Sequence, residues 1–222
     1  EFMMQWEQLL SLKKQGDTVP IVILIDNEDK HQQAYRDEFG EQVYVFDKKK
    51  VAEQIDEGDN FNDRRAIIYA RNVCFDVARE LGYKYFIELD DDYTSFQHRI
   101  THKMEVMNGK NVVNLDAVFS ALLTFLKETP VKSVAVAQGG DFIGGASSPS
   151  TIRNTLKMRR KCMNSFVCSV DRPFKFVGRI NEDVNTYTHE ASKGALFVTT
   201  SAVALIQPTT QSNSGGMTEM YL

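Results

Sequence analysis

The sequence predicts an α/β fold in which a mostly parallel sheet is flanked by helices and the second half of the chain is rich in β-strands. Two apolar runs, residues 19–25 and 85–89, are each followed by acidic residues. Unbroken runs of this length are typical of strands buried on both faces, as in parallel sheets. Strand-like and helical patterns alternate between the two runs, which indicates βαβ connectivity.

The first half of the chain alternates strands with helices. Strands are predicted at residues 19–25, 42–46 and 85–89, and helices at residues 4–14, 31–39 and 63–81. The last helix is predicted because apolar residues recur at three- and four-residue spacing and Gly82 follows where a helix-ending glycine belongs. Two polar stretches without a clear period are predicted to be irregular, residues 51–62 and 93–109.

The second half begins with a helix and continues as strands. Asn114 is predicted to cap a helix that runs to about Lys127, because apolar residues line one face and Pro130 follows. Strands are expected at residues 131–138, 166–170, 174–177, 195–198 and 202–206, with a glycine-rich turn at residues 139–145. The acidic pair Glu182–Asp183 is framed by strand-like residues, so we expect its two side chains to face opposite ways on an extended backbone.

Length and composition indicate a single enzyme-sized globular domain over residues 1–222. The chain is 42% hydrophobic and 25% charged, and its net charge of −4 argues against nucleic-acid binding over the whole surface. Three cysteines without metal-ligand spacing favour free thiols in a reducing compartment. No apolar run of about 18 residues occurs, so we expect a cytoplasmic protein without a membrane span.

The central strand at residues 85–89 leads directly into three consecutive carboxylates, Asp90, Asp91 and Asp92. Like charges in a row repel one another, and a divalent cation such as Mg²⁺ or Mn²⁺ is the usual way to neutralise them. In an open α/β sheet, ligands bind beyond the carboxyl ends of the strands, where this triplet falls. The triplet therefore indicates a metal site, and a solvated acidic turn is the alternative interpretation.

Four motifs occur in the order found in GT-A glycosyltransferases, and the chain resembles that family over most of its length. They are Ile25-Asp26, Ala70-Arg71-Asn72, Asp90-Asp91-Asp92 and Glu182-Asp183. The resemblance implies a Rossmann-like GT-A sheet with a nucleotide-sugar half at about residues 17–110 and an acceptor half at about residues 111–222. It also implies a metal-dependent reaction with a nucleotide-sugar donor.

A closer resemblance is to the phage glycosyltransferases associated with TET/JBP-type base-modifying oxygenases. It is carried by residues 86–93, 179–185 and 210–218. This resemblance implies a UDP-linked donor such as UDP-glucose and, as acceptor, DNA that contains a hydroxymethylated pyrimidine such as 5-hydroxymethylcytosine. It also implies a bacteriophage origin, action in the host cytoplasm, and more sequence after Met217 than this chain has.

The donor-side residues follow from these motifs. Asp92 is the first candidate for the metal ligand, and Asp90 is assigned to the metal or to the ribose, while Asp91 belongs to the nucleotide-sugar site. Arg71 is predicted to contact the diphosphate, with a salt bridge to one of the aspartates as an equal alternative. Asp26 and Asn27 are predicted to bind the nucleobase or ribose, although an acid after a strand is also a common turn former.

The transfer step requires a base that takes the proton of the acceptor hydroxyl. Asp183 is the first candidate and Glu182 the second. A structural cap or a salt bridge to Arg179 is the alternative role for this pair, and a retaining reaction would need no base there. The stereochemical course is therefore left open.

A basic cluster in the second half is the sequence feature that bears on the acceptor. Eight cations against the single acid Asp171 occur between residues 153 and 179, and the predicted DNA contacts are Arg153, Lys157, Arg159, Arg160, Lys161 and Arg179. The alternative is a solvated loop, and Phe166 and Phe174 could stack on an extruded base or pack in the core. Other function classes are a glycosyltransferase with a non-DNA acceptor, a nucleotidyltransferase, and a non-catalytic nucleic-acid-binding module.

Overall fold

A computed structural model describes residues 11–55, 67–90, 93–103, 105–138, 156–158 and 165–207. Within these residues the chain begins with a helical turn at residues 11–14 and forms two sheets. The smaller sheet pairs β1 (Ile23–Asp26) with β2 (Val43–Phe46) in parallel, and α1 (Gln32–Phe39) and a 3₁₀ turn (Gly40–Gln42) connect them. Tyr35 and Phe39 of α1 pack on Ile23 and Ile25. The predicted strand–helix–strand order of this region is confirmed.

The larger sheet contains seven described strands in the order β3-β8-β6-β9-β4-β5, with β7 paired to β9. Their bounds are β3 (Tyr85–Leu89), β4 (Ser95–Ile100), β5 (Val106–Asn111), β6 (Ser133–Ala137), β7 (Leu156–Met158), β8 (Ser165–Ser169) and β9 (Phe197–Ile206). Only the β6–β9 pair is parallel among the described pairs of this sheet. The α/β class is thus confirmed, but the prediction of a mostly parallel sheet was wrong.

The reason for the mixed sheet lies in its connections. Parallel neighbours need a crossover of a dozen or more residues, whereas a short turn can join only antiparallel strands. Residues 93–109, predicted to be irregular, contain β4 and the start of β5, which are joined by such a short turn and pair antiparallel. β4 also pairs antiparallel with β9, so this hairpin extends the sheet at one edge.

The described residues contain four further helices: α2 (Lys48–Ala52), α3 (Ile68–Glu80), α4 (Leu115–Glu128) and α5 (Glu182–Ser192). The prediction for α4 is confirmed, including the cap, because Asn114 Oδ1 accepts a hydrogen bond from the Ala117 amide at 3.0 Å. At its other end Arg172 donates to the carbonyls of Leu126, Thr129 and Val131. None of the helices in the described part of the chain is long and apolar enough to cross a membrane.

Three predicted elements of the second half differ from the structure. Residues 174–177 were predicted as a strand but pair with no described strand. The two strands expected at residues 195–198 and 202–206 form the single strand β9. Glu182 and Asp183 were expected on an extended backbone but are the first two residues of α5. The predicted turn at residues 139–145 and the tail at residues 208–216 lie outside the described residues.

Candidate active site

Arg71 lies at the centre of a cluster of three carboxylates. It is carried by α3 and only 3% exposed. Its Nη2 donates to both carboxylate oxygens of Asp90, at 2.9 and 2.8 Å, and its Nη1 donates to Glu182 Oε1 at 2.8 Å. Its Nε lies 3.3 Å from Glu88 Oε1. A single guanidinium therefore joins the carboxyl end of β3 to the first turn of α5, and Arg71 and Glu182 are 111 residues apart in the sequence.

Aromatic rings and charge keep this guanidinium ionised. Its central carbon lies 5.3 Å from the ring centroid of Phe166 and 5.5 Å from that of Phe176, close enough for cation–π attraction. Burial disfavours the charged form, but the carboxylates outweigh it and raise the pKa of Arg71 above its ordinary value. Arg71 is accordingly a permanent cation among acids that outnumber it.

Glu182 and Asp183 enter this region through a strained helix start. Asn181, the residue before α5, has φ 53° and ψ 41°, a left-handed conformation that non-glycine residues rarely adopt. Burial raises the pKa of Glu182, although Arg71 opposes the shift. Asp183 is 8% exposed, and its Oδ1 accepts a hydrogen bond from the Val184 amide at 2.8 Å. The two acids thus lie side by side at a helix N-terminus, where negative charge is favoured.

Asp26 and Asn27 occupy the carboxyl end of β1, as predicted for a ligand site. The Asp26 carboxylate accepts from Lys48 Nζ at 3.0 Å and from the Glu28 amide at 2.9 Å. Asn27 Oδ1 accepts from the Lys48 amide at 3.1 Å. Lys48 also lies over the ring of Tyr69 at 5.7 Å, and Tyr69 belongs to α3. Asp26 therefore forms the turn that was one of its two predicted roles, and its contact with a nucleotide stays a prediction.

The metal prediction rests on a triplet of which only Asp90 is described, since Asp91 and Asp92 lie outside the described residues. No group of three or more His, Cys, Asp or Glu side chains in the described ranges has metal-binding geometry. Around Arg71, however, three carboxylates face one guanidinium. Carboxylate oxygens are the donors that Mg²⁺ and Mn²⁺ prefer. The metal site at Asp90 and Asp92 stays a prediction, because Asp92 lies outside the described residues.

The predicted DNA contacts fall mostly outside the described residues, namely Arg153, Arg159, Arg160 and Lys161. Lys157 is placed by its backbone alone, opposite Thr199 in the β7–β9 pair. Arg179 is 1% exposed, so in this conformation its side chain is not available to a DNA backbone. Phe166 and Phe174 are 2% and 5% exposed and belong to one hydrophobic cluster, which favours the core-packing interpretation for both.

One comparison with known proteins covers most of this chain. A family model described as TET-Associated Glycosyltransferase matches residues 5–216. The chain belongs to this family. The expected resemblance is thereby confirmed, and the protein is a glycosyltransferase. A search of curated proteins finds no match.

In this TET-Associated Glycosyltransferase, Arg71 forms the salt bridge that was one of its two predicted roles, with Asp90 as the partner. All three guanidinium nitrogens face carboxylates. Its contact with a donor diphosphate stays a prediction. His189 lines a cavity of about 450 Å³ with Lys175 and Lys193, and none of the carboxylates around Arg71 lines that cavity.

Glu88 is the member of the cluster that sequence reasoning missed. It was counted among the apolar residues of the central strand, yet it is 7% exposed and lies against Arg71. Burial raises the pKa of Glu88 to about 8, against the opposing effect of Arg71. The available signal was a single acid inside a strand whose other residues are apolar, because such a residue needs a buried cation as its partner.

The raised pKa of Glu88 predicts a pH-dependent stability. The folded state keeps this proton up to about pH 8, while the unfolded state releases it near the ordinary value of 4.5. The free energy of unfolding should therefore fall as pH rises from about 5 to 8, by on the order of a few kcal/mol from this group. Glu88→Gln should remove that slope in denaturant titrations. Glu41→Gln, which removes the same charge from an exposed position, should leave it, and an equal slope in Glu88→Gln and wild type would contradict the assignment.

Proposed function

We propose that this glycosyltransferase is metal-dependent and moves a sugar from a UDP-linked donor such as UDP-glucose onto the hydroxyl of a 5-hydroxymethylpyrimidine in DNA. The observation that carries the proposal is the Arg71 cluster. It brings Asp90, which directly precedes Asp91 and Asp92, next to Glu182, which directly precedes Asp183. That Asp90 of the expected donor site and Glu182 of the expected base pair share one guanidinium supports a common site for donor and acceptor in a chain of this family.

On the donor side, Asp92 and Asp90 are the residues that would hold Mn²⁺ or Mg²⁺. The metal would neutralise the charge that grows on the leaving diphosphate. Both Asp90 oxygens accept hydrogen bonds from Arg71, which fixes the orientation of this first aspartate of the triplet. Because these oxygens are already engaged, Asp92 is the better candidate for the direct metal ligand. Asp26 and Asn27, at the carboxyl end of β1, are suited to the ribose or nucleobase, where Lys48 balances the Asp26 charge.

On the acceptor side, the structure supports Asp183 rather than Glu182 as the base. Glu182 Oε1 accepts a hydrogen bond from Arg71 Nη1 at 2.8 Å, so this oxygen is engaged in an ion pair and is less available to an acceptor hydroxyl. The ion pairs of Arg71 are with Glu88, Asp90 and Glu182, whereas Asp183 accepts a hydrogen bond from the Val184 backbone amide. A base at this position takes the hydroxyl proton while the oxygen attacks the anomeric carbon, which corresponds to an inverting reaction.

The DNA acceptor is supported by the family, whose description links it to TET oxygenases, and by the basic residues between positions 153 and 161. Phosphates of a DNA backbone are the ligands that such a cluster attracts in a net-acidic protein. An enzyme with this acceptor would act in the cytoplasm of a bacterial host.

The test is a transfer assay with UDP-glucose and duplex DNA that contains 5-hydroxymethylcytosine, with unmodified DNA as the matched control. We expect UDP release and sugar incorporation that depend on Mn²⁺ or Mg²⁺ and on the hydroxymethyl group. Asp92→Ala should lose the Mn²⁺-dependent rise in melting temperature that UDP produces, since only a ligand is removed. UDP release without any preference for hydroxymethylated DNA would favour a glycosyltransferase with a non-DNA acceptor.

A further inference from the structure

Asn72, the neighbour of Arg71 on α3, holds the backbone of Phe176 at two points. Its Nδ2 donates to the Phe176 carbonyl at 3.0 Å, and its Oδ1 accepts from the Phe176 amide at 2.9 Å. The same Nδ2 donates to the Ile68 carbonyl within α3 at 3.0 Å, which sets the orientation of the amide. A side-chain amide here takes the place of a strand partner, because residues 174–177 pair with no described strand.

The loop from Phe176 to Glu182 has further internal contacts. The Val177 amide donates to Thr186 Oγ1 at 3.1 Å, and Asn185 Nδ2 donates to the Ile180 carbonyl at 2.9 Å. Gly178 has φ 79°, and a Cβ there would lie 2.5 Å from Asn185 Nδ2, so only glycine fits this turn. The first turns of α5 thus pack directly against the loop that precedes it.

Adjacent residues of one helix therefore hold both ends of this loop. Asn72 holds Phe176, which is 0% exposed, at the beginning, and Arg71 holds Glu182 at the end. Because α3 also presents Arg71 to Asp90 on β3, the loop is placed relative to the carboxyl end of β3 through α3. The location of Asp183 follows from that placement, since Asp183 is the next residue after Glu182.

We propose that Asn72 is a positioning residue for the transfer step, which sets the distance between Asp183 and the donor by holding the backbone of Phe176. This inference rests on the proposed function. Asn72 acts through the loop and not through a contact with the sugar or the metal. A displacement of about 1 Å in a catalytic group lowers a rate by about 10²-fold, so loss of the Asn72 contacts should slow transfer. Donor binding should be preserved, because Asp90 follows β3 and does not depend on this loop.

Gln15 supplies a matched control for the loss of such an amide. Its Nε2 donates to the carbonyls of Phe96 and Val112, and its Oε1 accepts from the Phe96 amide. It is also buried, at 6% exposed, but it joins β4 to the residues after β5 and not to α5. Gln15→Ala therefore removes the same kind of two-point backbone contact without reaching the loop at residues 176–182.

The experiment compares Asn72→Ala, Asn72→Asp and Gln15→Ala in the transfer assay with UDP-glucose and hydroxymethylated DNA, at a temperature where all three are folded. For Asn72→Ala we expect kcat about 10- to 100-fold below wild type, with the donor KM within about 3-fold. Asn72→Asp keeps the acceptor for the Phe176 amide and should fall between Asn72→Ala and wild type. Gln15→Ala should lower the melting temperature by a similar amount and leave kcat within about 2-fold.

The outcomes separate the inference from the proposed function. If Asn72→Ala has a near-normal kcat, or if Gln15→Ala loses as much kcat as Asn72→Ala, the positioning role of Asn72 is overturned. The proposed function still holds in either case as long as wild type transfers the sugar. A raised donor KM with unchanged kcat would overturn it as well, because that result marks a donor contact. No transfer by wild type would contradict the proposed function and the inference with it. Amide hydrogen exchange should also rise over residues 176–185 in Asn72→Ala alone, and unchanged exchange there would count against the inference.

Discussion

Asp183→Asn is expected to reduce transfer to hydroxymethylated DNA by about 10²-fold or more, the usual scale for the loss of a general base. The substitution keeps the shape of the side chain and can keep the hydrogen bond from the Val184 amide, so α5 should start as before. Donor and metal affinity should stay near wild type, because neither depends on this carboxylate. Single-turnover transfer rates and UDP titrations in the presence of Mn²⁺ measure the two quantities separately.

Glu182→Gln is the matched control for this prediction. It removes the neighbouring carboxylate and the charge of its contact with Arg71, but leaves the proposed base in place. A smaller loss of transfer than in Asp183→Asn is therefore expected. The reverse order would identify Glu182 as the base, and near-normal transfer by both variants would favour a retaining reaction.

Arg71→Met should have the largest effect on stability, and it should also abolish transfer. Removal of the guanidinium leaves the buried Glu88 and the half-buried Asp90 and Glu182 without their shared cation, and loss of one partner of a buried ion pair costs about 3–5 kcal/mol. The remaining carboxylates should then take up protons in the folded state. The free energy of unfolding of the variant should accordingly rise more steeply than that of wild type as pH falls from about 7 to 5, which denaturant titrations of both proteins at several pH values would measure.

Arg172→Met is the control that separates the loss of charge balance in Arg71→Met from the general cost of losing an arginine. Arg172 also makes several hydrogen bonds, but it donates them to backbone carbonyls near the end of α4. Its loss should cost about 1–2 kcal/mol and leave the slope with pH as in wild type. A pH-independent loss of the same size in both variants would contradict the charge-balance role of Arg71.

The elements that could be predicted are those whose signals are local. The strand β3, the helix α4 with its Asn114 cap, and the helix α3 followed by Gly82 were readable, because periodicity and capping act within one or two turns. The acidic triplet and the Glu182–Asp183 pair were recognisable as site candidates for a similar reason. Consecutive carboxylates repel one another and therefore need a cation or a function. Their order along the chain indicated the family that the comparison then matched.

The tertiary structure decided what depends on distant parts of the chain. Strand direction in the large sheet follows from which strands become neighbours, and the hairpin of β4 and β5 had no strong alternating pattern. The helical start at Glu182 depends on a left-handed Asn181 and on a loop held by Asn72, more than 100 residues earlier. Glu88 looked like an apolar strand position until α3 placed Arg71 against it. Residue type and spacing thus determined which groups could act, whereas long-range packing, which sequence periodicity does not encode, determined which of them meet.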